Sequence, residues 1–202
     1  MADQSATLID REVVAEVTSA FHFEKPSGFS FGAGQFTDAT LTDRLKTNAK
    51  ENTLTFSSAP PPFANKIIFT TRICDTAFER SLKRVPLTAQ EKIGPAAGPL
   101  TLNMNLAKPA IFPVGEIGIT PFLSMVQQTD RDGRSQKLSL FNSNRRPEDA
   151  VFLDTLKALG TTSLNFSLIR TMTEMSKSKR AWKGCAIAVG SRRFRWICLA
   201  FS

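Results

Sequence analysis

Apolar and polar positions alternate with a period of two through EVVAEVTSAFHFEKP and again through FSFGAGQFTDATL, so residues 12–41 read as β structure broken by a PSG turn. NTLTFSSAPPP is a strand ending in a proline-rich turn, and NKIIFTTRI is another strand. DTAFERSLKRV has helical spacing, with Ala77, Phe78 and Leu82 on one side and Asp75 or Thr76 as its cap. KIGPAAGPLTL is loop plus strand. The first hundred residues are therefore mainly strands with one helix, which predicts a small barrel or sandwich.

After Asn105 the pattern changes to AIFPV, PFLSMVQQ, KLSLF, PEDAVFLDTLKAL and FSLIRTM. Short apolar strands alternating with helices imply parallel pairing with right-handed crossovers. The second helix is expected to start at Pro147, with Glu148 and Asp149 at its positive end and Lys157 near its negative end. Phe152, Leu153, Leu156 and Leu159 would face a sheet. Pro113 falls in a strand expected to be central, where it removes a ladder donor. The change of pattern puts a domain boundary near residues 103–108.

Composition excludes more than it selects. No stretch reaches the roughly 18–20 apolar residues of a membrane span, and MADQSATLIDREVV lacks a basic-then-apolar leader. The reading is cytoplasmic, without a membrane span. Cys74, Cys185 and Cys198 share no ligand spacing and His22 is the single histidine, so no metal site or disulfide framework is expected. The net charge of +8 is uneven: seven basic residues and no acidic one follow Glu174, leaving 19 basic against 18 acidic up to and including it. The body is nearly neutral, which argues against a nucleic-acid partner.

Two loops carry the candidate chemistry. In VGEIGITPFLSM, Gly115 would let the chain turn sharply after a strand and Gly118 would let a ligand approach the backbone. Thr120 would cap the next helix and Pro121 would open it, so that free amides face an anion; a tidy strand-to-helix turn explains the same residues. In SNRRPED, Ser143 and Asn144 offer hydrogen bonds, while Arg145 and Arg146 could clamp a phosphate or stack on a purine. A solvated basic loop is the other reading. Together, two such loops on consecutive crossovers suit a dinucleotide, whose pyrophosphate and adenosine end need separate contacts.

These stretches, with AFHFEKPSGFSFGAGQF, TFSSAP, TTRICDTAFERSL, GEIGITPFLSM and LFNSNRRPEDAVFLDTL in that order, resemble the ferredoxin–NADP reductase superfamily, the FAD-binding oxidoreductases, over about residues 12–184. The resemblance implies two domains. An antiparallel β-barrel that binds FAD would span 1–104. A partial α/β parallel-sheet NAD(P)-binding domain, incomplete at its C-terminus, would span 105–184, followed by an atypical basic tail at 185–202.

It implies that Thr55 hydrogen-bonds the flavin near its reactive nitrogen and that Asn52, Leu54 and Ser58 belong to the same flavin motif. Asp75, Thr76 and Ala77 would face the FAD phosphates. Gly115, Gly118, Ile119, Thr120 and Pro121 would lie beside nicotinamide and pyrophosphate. Ser143, Asn144, Arg145 and Arg146 would take the adenosine end, with the arginines favouring NADPH where a 2′-phosphate is present, and Thr171 and Thr173 would line the same cleft. The implied activity is electron transfer from NAD(P)H through FAD to a redox acceptor, either an iron–sulfur or haem protein or a small molecule. The alternative is a catalytically impaired relative that binds cofactor weakly or not at all.

Departures from the family pattern are specific. Asn52 stands where the motif has arginine, so a charge-assisted phosphate contact of about 1.5–3 kcal/mol would be missing. Leu54 replaces the aromatic that covers the flavin. Glu116 replaces the second glycine of GGIGITP and should repel a pyrophosphate. GPAAG lacks the phenylalanine of the GPFG turn. Past Gly184 the expected strand, helix and final strand are not recognisable in CAIAVGSRRFRWICLAFS, which reads as a truncated or frame-altered end.

Overall fold

The computed structural model describes residues 3–41, 53–54, 65–74, 76–103, 105–182, 185–188 and 195–198; for 53–54, 77, 185–188 and 195–198 it describes the backbone only. The chain divides into two compact units. One comprises Met1–Leu102 with Thr120–Gln128, the other Asn103–Ile119 with Thr129–Ser202.

The first unit is built on β1 (Gln4–Ala15), β2 (Thr18–Glu24), β3 (Thr37–Thr40), β4 (Thr53–Leu54), β5 (Lys66–Arg72) and β6 (Gln90–Ile93). They form one six-stranded sheet in the order β4-β3-β6-β1-β2-β5, every pair antiparallel. β1 begins earlier than the alternation suggests, at Gln4, and runs through two register irregularities. Leu8, Phe21, Phe23, Ile67, Phe69 and Ile93 are all buried in the core, and the Phe23 and Phe69 rings meet edge to face at 5.4 Å.

Helix α1 (Ala77–Arg84) closes that core with Phe78 and Leu82. Its entry is a capping box. Thr76 Oγ1 accepts the Glu79 N–H at 3.2 Å while Glu79 Oε2 accepts the N–H groups of Thr76 at 3.0 Å and Cys74 at 2.7 Å. At the other end, Arg11 of β1 donates to the carbonyls of Lys83 and Val85. His22, on β2, faces Glu12 of β1 at 3.2 Å.

The second unit is a five-stranded sheet in the order β11-β10-β9-β8-β7, from β7 (Ala110–Gly115), β8 (Leu138–Asn144), β9 (Phe166–Met172), β10 (Cys185–Ala188) and β11 (Arg195–Cys198). β7, β8, β9 and β10 pair in parallel and β11 is antiparallel. The backbone past Gly184 thus adds two strands where the sequence showed no recognisable one. β7 lies at the edge, not the centre. Pro113 therefore sits where a missing ladder donor is tolerated, and the expected defect does not arise.

The helix expected from Pro147 is also revised. Pro147–Asp149 form a single 3-10 turn, Phe152 is left-handed at φ 56°, and α3 (Leu153–Thr162) starts only afterwards. Leu153 and Leu156 are its buried residues, while Phe152 and Leu159 are half-buried. Among the described residues no helix is long and apolar enough to cross a membrane.

Candidate functional site

The parallel pairing sets the carboxyl ends of three strands level: Gly115 of β7 lies opposite Ser143 of β8, and Ser143 lies opposite Thr171 of β9. The chain leaves β7 and β8 on the same edge of the sheet, in the two loops that the sequence singled out. The loops touch. Arg145 Nε lies 3.0 Å from Glu116 Oε1, with both side chains partly exposed.

The turn after β7 differs in detail from expectation. Its left-handed residue is Glu116, at φ 47°, and not Gly115. A non-glycine side chain there costs roughly 1–2 kcal/mol relative to glycine. A 3-10 turn over Glu116–Ile119 runs straight into α2 (Thr120–Arg131). Thr120 is therefore the first residue of that helix and not an extended cap, and Pro121 follows it. The donor-rich start of the helical run moves upstream to Glu116, whose carboxylate suits that positive end. Gly118 is exposed with open space where a side chain would be, while Ile119 and Thr120 are buried.

In the second loop the two arginines are held differently. Arg146 grips Asp149 with two bonds, Nε to Oδ2 at 2.9 Å and Nη2 to Oδ1 at 2.8 Å; the Asp149 side chain is 3% exposed. That pair pins the Pro147–Asp149 turn. Arg145 is more open and meets only a partly exposed carboxylate. Asn144, buried, donates to Asn142 Oδ1 at 3.0 Å, and its own Oδ1 has no partner among the described residues. Thr173 donates its N–H to the Asn144 carbonyl at 3.0 Å, and Thr171 is buried at the end of β9.

Two carboxylates, Glu148 in this loop and Glu174 after β9, are held below their ordinary 4.5. For Glu174 the Lys177 hydrogen bond lowers most, opposed by desolvation and aided by the charges of Lys177, Arg145 and Arg146. For Glu148 desolvation is the largest influence and raises the value. Hydrogen bonds from its own backbone, from Lys179 and from Ser178, together with the charge of Arg146, outweigh it. Glu148 thereby holds Ser178 and Lys179, and Trp182 stacks on Arg170 at 5.1 Å, so the basic segment starts as a packed strap.

Of the residues expected at a flavin, Asn52, Thr55, Ser58 and Asp75 lie outside the described residues. Leu54 is described only as the β4 partner of Thr37, and Ala77 only as the first residue of α1. Thr76 is the helix cap, and its hydroxyl and N–H are both engaged by Glu79. The GAGQF stretch packs on the GPAAG loop through paired bonds between Phe36 and Ala97, and a Cβ at Gly98 would lie 2.9 Å from the Phe36 ring. Among the described residues no group of side chains could hold a metal ion.

Residues 115–194 match the family of the oxidoreductase NAD-binding domain, a match running ten residues past Gly184. Ferredoxin–NADP reductase B of Sorangium cellulosum (strain So ce56) is 28% identical over 165 residues, covering 80% of this chain. The chain is similar in sequence to a ferredoxin–NADP reductase. It spans 65% of that relative's length. The fold is shared with the CS-b5R domains of human Ncb5or in its NAD+ form at a TM-score of 0.76 and 17% identity, over 92% of this chain and 55% of that one. It is shared with a ferredoxin NADP+ reductase from Neisseria gonorrhoeae, solved with bound FAD and NADP, at 0.72 and 19%, over 91% and 72%.

A dinucleotide fits the described part of this reductase-like site in three respects: the space over Gly118, the unpartnered Asn144 Oδ1, and a cation, Arg145, at the rim. Glu116 is the feature that opposes it. Sequence reasoning saw Glu116 as a repelling charge and missed its partner. It also missed Asp149 as the anchor of Arg146, for which the i,i+3 spacing in RPED was the available signal.

Proposed function

We propose that the chain is the flavin- and nicotinamide-binding part of an NAD(P)H-dependent reductase that hands electrons to an iron–sulfur, haem or small-molecule acceptor. The observation that carries the reading is the meeting of the two loops at the carboxyl edge of β7 and β8, where parallel sheets collect ligands. The kinship to a ferredoxin–NADP reductase supports it. The first unit would be the flavin barrel.

In this reading Gly115, Gly118, Ile119, Thr120 and Pro121 pass along the pyrophosphate and nicotinamide. Ser143, Asn144, Arg145, Thr171 and Thr173 take the adenosine end. Asn52, Leu54, Thr55, Ser58, Asp75, Thr76 and Ala77 line the flavin, with Thr55 donating to the ring. Arg146 supports the loop through Asp149 and leaves the nucleotide to Arg145. Bound FAD would supply the step between two-electron hydride chemistry and single-electron delivery. The protein's part is to align the two rings and keep water out.

Purified protein given FAD should show flavin absorbance and bleach on adding NADH or NADPH, then pass electrons to an artificial acceptor. Protein that stays colourless with excess FAD overturns the reading. That outcome would favour an impaired relative, the reading that Glu79 in the α1 cap and Glu116 in the turn after β7 support.

A further inference from the structure

Resting on that dinucleotide site, we infer that Glu116 is a positioning residue that acts through Arg145 to exclude a 2′-phosphate, so that the chain takes NADH in preference to NADPH. Two guanidinium groups stand in the loop, which by composition alone favours a phosphate. Each already has a carboxylate beside it. Arg146 is bound through Nε and Nη2 to the buried carboxylate of Asp149, and releasing it would strand that charge. Arg145, the exposed one, has its Nε on Glu116. Glu174 stands at the same loop, its N–H donating to the Arg145 carbonyl at 2.8 Å.

Glu116 and Asp149 therefore each pair with one of the two arginines, while the carboxylate of Glu174, itself bonded to Lys177, also feels the charges of both. A 2′-phosphate brings nearly two more negative charges and meets a carboxylate beside either guanidinium, Glu116 at Arg145 and Asp149 at Arg146. An unphosphorylated ribose makes no such demand, and its hydroxyls can donate to a carboxylate. The backbone singles out Glu116 as well. It is held left-handed at φ 47°, where glycine would sit without strain, so the side chain is carried at a backbone cost. Because the pair is half-exposed, it can be opened by one substitution without dismantling the sheet.

The test is calorimetric titration of NAD+ and NADP+ into the full chain and into E116Q, E116G, R145A and the E116Q/R145A double variant, with circular dichroism to check folding. The wild type should bind NAD+ more tightly than NADP+. E116Q should shift that ratio toward NADP+ by about tenfold, the worth of one charge-assisted bond. E116G should move it the same way and serves if E116Q folds poorly. R145A should weaken NAD+ and NADP+ together, leaving their ratio within about twofold of the wild type, and should cancel the shift in the double variant.

A wild type that prefers NADP+, or a ratio unmoved by E116Q while NAD+ still binds, overturns the inference and leaves the site reading standing. No saturable binding of either nucleotide to any folded variant removes both.

Discussion

The chain enters α1 and leaves β7 through turns that invite comparison, because each carries a glutamate where the resemblance implies a phosphate. At α1, Glu79 turns back on its own helix and takes two backbone N–H groups within five residues. At β7, Glu116 reaches out to Arg145 of another loop, 29 positions along the chain. The first carboxylate completes a local motif and belongs to folding. The second joins two elements that sequence keeps apart, at a backbone cost, and in the proposed reading it serves recognition. Similar chemistry can therefore mean a sealed end in one place and an exchangeable one in another.

The comparison can be broken hardest beside Glu116 itself. Asp149→Ala removes the buried partner of Arg146 and should destabilise the chain by about 2–3 kcal/mol, read from the urea midpoint. A loss no larger than that of R145A would mean that both arginines are loosely held and that their contrast is empty. Next, Thr76→Ala with Glu79→Ala should cost about 1–2 kcal/mol by the same measurement, since both halves of a capping box go. Glu116→Gly should be neutral or stabilising by up to about 1 kcal/mol, because relief of the left-handed backbone outweighs an exposed ion pair.

The smallest effect is electrostatic. Glu148 and Glu174 titrate below 4.5 in the folded chain, so the stability they add is present above that value and drains away as pH falls through their lowered values. Glu148→Gln should flatten the acid limb of the stability profile, and an unchanged limb would place the strap's attachment elsewhere.

What could be read in advance follows the same division. The α1 cap was legible because T-x-x-E is a contact within one turn of helix, and the strands were legible because alternation is local. Three features were not. Pro113 looked misplaced because the position of a strand in its sheet depends on partners and not on its own residues. The PED turn looked like a helix start because proline and acids suit both, and the left-handed Phe152 that separates it from α3 has no signature in an aromatic residue. The Glu116–Arg145 pair needed the level register of Gly115 and Ser143, which only pairing reveals. For the flavin side, Asn52, Thr55, Ser58 and Asp75 stay expectations from resemblance.

The placement of Pro113 has one more consequence. An outermost strand offers its open row of amides to any passing chain, and this one also shows Ile111 to solvent, a combination that invites sheet-to-sheet growth. Among the described residues β7 has one neighbour, and an imino acid midway along it removes a donor, which would make the strand a poorer template for a second chain.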